Sequence, residues 1–137
     1  LWRRRLGDFR SFLLVAVAVA MATATAVVKA DTFGPVRYDP NSDQLIVTII
    51  YDGTNPDHQF SIQWGRCRKF DQPGQPAHQI IVSLLDNQYD DAARTRYTKT
   101  VRVPLASLSC RPARVTLVTT PTSYGNRPGA RASLDIP

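Results

Sequence analysis

The chain has 137 residues, with 17 Lys and Arg against 11 Asp and Glu, a formal net charge of +6. That length supports a single modest core. The basic excess is local: residues 1–30 hold Arg3, Arg4, Arg5, Arg10 and Lys29 against Asp8, which leaves 12 basic and 10 acidic residues, net +2, in 31–137. Nucleic acid is therefore not an expected partner, because no basic excess of the required size survives outside that leader. Every acidic residue is Asp and none is Glu. Asp favours turns and strand ends, where its side chain bonds the local backbone, so helices are disfavoured from the outset.

In chain order, the arginines precede an unbroken small and apolar run over 12–28, followed by Val28-Lys29-Ala30. A charged start, an apolar run and small residues before a cut are the parts of a secretory signal peptide. The reading is a bacterial signal helix over 1–30 with cleavage after Ala30, and a periplasmic or secreted protein. The competing reading, a membrane anchor, is weaker, because the run sits at the short end of the roughly 17–25 residues a span needs and is rich in Ala and Thr. After loss of the leader no membrane attachment is expected.

The remaining 31–137 reads as one domain of short strands between turns. A weak first strand lies near 36–38. Residues 44–52 (QLIVTIIYD) are β-branched and apolar on both faces, which predicts a central strand. Phe60, Ile62 and Trp64 alternate with polar residues, a half-buried strand with Trp64 in the core. Further strands are expected over 78–85 (HQIIVSLL), 94–103 (RTRYTKTVRV), 114–120 (RVTLVTT) and 131–136 (RASLDI). Only 90–94 (DDAAR) has helical character, for one turn. Asp, Asn, Gly and Pro cluster between the strands as turn chemistry. About seven strands at this spacing predict an all-β, immunoglobulin-like antiparallel β-sandwich, with a small β-barrel as the alternative.

Cys67 and Cys110 are the two cysteines. In an oxidising compartment an even pair reads as one disulfide. Cys67 follows the third strand (C) and Cys110 precedes the sixth (F). In an immunoglobulin-like sandwich C and F are antiparallel neighbours, so both cysteines fall at one end of the domain.

No catalytic motif is present: there is no GxSxG, HExxH, P-loop or GxGxxG. His58 and His78 read as strand-end surface residues, and no cofactor is implied. Asp39-x-Asn41-x-Asp43 opens like a calcium loop but lacks its Gly and final Glu. At the end opposite the cysteines, three loops are expected to meet. They bring Asp86, Asp90, Asp91, Tyr89, Tyr124 and Arg127 together as candidate binding residues. Asp52, Asp57, Asp86, Asp90 and Asp91 are a minor candidate calcium set, set against the plainer reading of solvated turn carboxylates. Arg94, Arg96 and Arg102 share one face of their strand, either as a basic stripe or as a solvated outer face. The functional expectation is a non-enzymatic binding, adhesion or envelope accessory domain whose partner is an envelope or extracellular protein or a glycan. The alternative is a secreted hydrolase inhibitor that acts through the loop 121–130.

Overall fold

A computed structural model describes residues 31–91, 95–119 and 129–137. The leader 1–30, the helical turn expected at 90–94 beyond Asp91, Arg94, and Tyr124 and Arg127 in the 121–130 loop lie outside the described residues. Within them the chain is all-β. The strands are β1 (Thr32–Asp39), β2 (Gln44–Gly53), β3 (Phe60–Trp64), β4 (Arg68–Lys69), β5 (His78–Asp86), β6 (Thr95–Pro104), β7 (Ala113–Thr119) and β8 (Arg131–Ile136). The first strand is longer than its sequence suggests, and β4 is an additional two-residue strand. Gly34 and Pro35 lie within a register shift between Phe33 and Val36, which masks the alternation that would have betrayed β1.

Two sheets share one core. One has the order β1-β2-β6, and the other β3-β5-β7-β8 with β4 also on β5. The doubly apolar β2 is indeed central. Leu45, Val47, Ile49 and Tyr51 from β2 and Val103 from β6 meet Ile80, Val82 and Leu84 from β5 and Val115 and Leu117 from β7. Each fully buried Leu or Val contributes about 1.5–3 kcal/mol by leaving water. This is a β-sandwich-like arrangement, and it is not the closed barrel that stood as the alternative.

The strand order departs from the expected immunoglobulin pairing. β3 and β7 are not neighbours, because β5 lies between them, antiparallel to β3 and parallel to β7. The parallel pair arises because the chain leaves β5 for β6 in the other sheet and then returns to β7. A return through the opposite sheet restores the original direction. The sequence predicts an all-antiparallel order, and the β5–β7 pair departs from it.

The disulfide survives this change. Since β3 is antiparallel to β5 and β5 parallel to β7, the end of β3 and the start of β7 still share one end. Cys67 and Cys110 are bonded there, with Cα atoms 6.3 Å apart. Such a bond is characteristic of oxidising compartments. The same end is fastened by Arg111. Its guanidinium donates to both oxygens of Asp43 at 2.8 Å, and its Nε to the Pro137 carbonyl at 2.8 Å. Asp43 itself adopts φ 51°, a left-handed conformation that Asp tolerates in the β1–β2 turn. Trp64 is half-buried against the core.

Candidate functional site

The topology gathers the β2–β3 and β5–β6 loops at the end away from the disulfide. Residues 54–59 and 87–91 are zipped together by local chemistry. Gln59 N donates to Asn87 Oδ1 and Asn87 N to the Gln59 carbonyl, both at 2.9 Å. Asn55 folds its own turn, with Asp57 N donating to its Oδ1 at 2.9 Å, and reaches Gln88 Oε1 at 2.9 Å. These are short polar side chains replacing strand ladder bonds where the chain turns.

At the centre stands His58. It is not the surface residue expected from its place beside Pro56 and Asp57: only 1% of it is exposed. Its Nδ1 lies 2.7 Å from Asp86 Oδ2 and its Nε2 3.0 Å from Asp91 Oδ2. Its ring stacks on Tyr51 with centroids 4.5 Å apart, and Phe60 and Tyr97 also contact the Tyr51 ring. The carbonyl of His58 accepts from Lys99 Nζ at 2.5 Å. One residue thus joins β2, the β2–β3 loop, the end of β5, the loop after it, and β6.

The carboxylates are fixed in turn. Asp86 Oδ1 accepts the Gln88 amide at 2.9 Å. Asp91 Oδ2 accepts the Thr54 amide at 2.7 Å and its hydroxyl at 2.9 Å. Gly53 makes the approach possible: a Cβ there would lie 2.6 Å from His58 Nε2 and 3.1 Å from Asp91 Oδ2. A glycine is required here for want of space, not for its φ.

A neutral imidazole has one N–H, whereas two carboxylates face this ring. Only the imidazolium donates to both. Burial by itself pulls the His58 pKa down, but the hydrogen bonds and charges of Asp86 and Asp91 outweigh it and raise it. Beside this group lies Asp31, also buried. Burial first, and then the charge of Asp86, push its pKa up to about 6, with His58 and Arg96 opposing and Asp52 adding. The Tyr51 hydroxyl is buried with no hydrogen-bond partner among the described residues. Burial and the nearby Asp86 charge raise its pKa.

The candidate residues are thus partly brought together. Asp86 and Asp91 converge, but on His58. Asp52 is paired with Arg96 at 3.0 Å, and Arg96 also reaches Thr32 Oγ1 at 3.3 Å. Asp57 and Asp90 are exposed. Among the described residues no three metal-ligating side chains are placed to hold a metal ion. Of the calcium candidates, Asp86 and Asp91 face His58, and Asp52 faces Arg96. Arg96 likewise belongs to an ion pair rather than to an open basic stripe. Tyr89 is 51% exposed at the loop tip. At the base of the neighbouring β7–β8 loop, Thr119 N donates to the Ala130 carbonyl at 3.0 Å and Ala130 N to Thr119 Oγ1 at 2.7 Å. His78 accepts a peripheral role, with Nδ1 3.3 Å from the Pro112 carbonyl.

His58, Asp31 and Lys99 were missed as members of this network. Their sequence neighbours are turn residues or strand residues of ordinary type, and only the pairing of non-adjacent loops brings them into contact. The His58 ring has both nitrogens occupied by carboxylates, so it has no lone pair open to a substrate proton. The network is suited to holding loops in place. Compared with known proteins, the chain matches no family model, no curated protein and no solved structure.

Proposed function

We propose that the protein is an exported, non-enzymatic binding domain that engages an envelope or extracellular partner, protein or glycan, through the loop end built on His58. The support for the loops is a β-sandwich-like pair of sheets in which β5 lies between β3 and β7. The observation that carries this reading is Tyr89. It is a half-exposed aromatic on a loop whose neighbours are held by a buried ionic network. An aromatic side chain on a rigid support loses little conformational entropy on binding, and such residues dominate interface energetics. The leader-like residues 1–30 and the disulfide support export.

The test is capture from envelope extract on immobilised protein, run side by side with Tyr89→Ala and with mass spectrometry of the retained species. A partner retained by the native chain and lost by Tyr89→Ala, with both proteins melting alike, is the expected result. Equal retention by the two, or no retained species, overturns the reading.

A further inference from the structure

A second site lies on the opposite face of the larger sheet. There β5, β7, β8 and the β3–β4 link enclose a cavity of about 310 Å³, within reach of the smaller ligand sites of proteins. Arg66, Arg68 and Arg131 stand around it, over Gln79, Ile81 and Thr116. No acidic residue lines it among the described residues. Among the described residues, the three guanidinium groups make no ion pair and no side-chain hydrogen bond. Arg114 on the same face behaves differently: Asp135 holds it at 2.8 Å and it lies over the Phe70 ring. Three like charges around one hollow repel one another and are satisfied by an anion.

The hollow is rigidly built. Gly65 N donates to the Ile81 carbonyl at 2.7 Å, and a Cβ at Gly65 would stand 2.7 Å from that oxygen, so the strand end closes down on β5 only as glycine. Cys67, between Arg66 and Arg68, is fastened to Cys110. Arg68 then pairs with Gln79 in register on β5. Ile81 is 47% exposed, an apolar floor between charged walls. Thr116 and Ser133 share a hydroxyl hydrogen bond at 2.9 Å at its edge.

We propose that this hollow binds a small anionic saccharide bearing sulfate, phosphate or carboxylate groups. Guanidinium groups match oxyanions with paired, charge-assisted hydrogen bonds. Ile81 supports the apolar face of a sugar ring, and Gln79 and Thr116 offer partners for its hydroxyls. The site is separate from the Tyr89 loop end and does not depend on it.

Isothermal titration of the full exported protein tests this with three probes: a disulfated disaccharide, its unsulfated parent and inorganic sulfate. The sulfated sugar is expected to bind, more weakly at high salt because the arginines are exposed. Arg66→Ala and Arg131→Ala are each expected to weaken it about tenfold, the scale of one lost hydrogen bond to a charged group. Arg102→Ala, on the other sheet, and Tyr89→Ala are expected to leave it unchanged, and melting curves establish that every variant is folded. Equal affinity for the unsulfated parent overturns the proposal, as does undiminished binding by folded Arg131→Ala. Inorganic sulfate binding as tightly as the disaccharide also overturns it, leaving an ion site without a saccharide.

Discussion

His58 Nδ1 lies 2.7 Å from Asp86 Oδ2, and this contact between residues 28 positions apart fastens the entry of β3 to the exit of β5. The two strands are already paired from Phe60↔Asp86 onward. The ion pair extends that pairing past the end of the ladder, into loops that would otherwise fray.

Replacing His58 by Ala leaves Asp86 and Asp91 without their shared cation. Breaking one side of a buried ion pair typically costs about 3–5 kcal/mol, since the orphaned charge stays buried. Urea unfolding of His58→Ala should show a loss of that order. A loss below about 1 kcal/mol would show that the bridge contributes no more than an exposed pair.

Stability is expected to peak on the acid side of neutrality. His58 has its pKa raised above 6.5 in the fold, so its contribution is complete below 6.5 and fades as pH rises through the folded value. Asp31 has its pKa raised from 3.8 to about 6, so the fold binds that proton more tightly and gains stability as pH falls from 6 towards 3.8. Asp43, lowered by its hydrogen bonds from Arg111 and then Tyr38, acts oppositely: its contribution is present above 3.8 and is lost as pH falls below it. Melting temperature measured from pH 3 to 9 should therefore decline from about pH 3.8 to 6 as Asp31 ionises, and decline further above 6.5 as His58 loses its proton. A curve that is level or rising between pH 6.5 and 8 contradicts the His58 part of this, and His58→Ala should flatten that upper limb.

The Cys67–Cys110 bond closes a loop of 43 sequence steps. Loop-closure entropy assigns about 4 kcal/mol to a loop of this length. The Cys67→Ala, Cys110→Ala double variant should lose stability of that order in denaturant titration. An unchanged midpoint with an unchanged slope would place the stabilisation elsewhere.

Gly53→Ala puts a methyl group where His58 Nε2 and Asp91 Oδ2 already stand. Overpacking of this kind costs about 1–3 kcal/mol as neighbours are displaced. Calorimetry of Gly53→Ala should show that loss. It should also show a weaker decline of stability above pH 6.5, because the displaced ring no longer meets both carboxylates.

Strand positions were readable because their signal is local. Residues 44–52 show β-branched residues on both faces, and β2 is the central strand of its sheet. Phe60, Ile62 and Trp64 alternate because one face of β3 is turned to the core. The cysteine pairing was readable because it needs β3 and β7 only to run oppositely, not to touch. β1 was legible only in part, since Gly34 and Pro35 interrupt its period.

The sequence by itself determined the all-β character of the described residues, the approximate strands, the disulfide and the absence of a sizeable basic excess beyond residue 30. Each follows from composition, from a period of two residues, or from two cysteines with no other choice. Tertiary structure alone decided that β5 enters between β3 and β7, that His58 is buried between Asp86 and Asp91, and that Arg66, Arg68 and Arg131 surround one hollow. These depend on which distant segments pair, and alternation along a strand says which face is apolar but not which neighbour it will meet. A histidine in a run of turn residues looks the same whether water or two carboxylates await it; the crossing of the chain between its two sheets makes the difference.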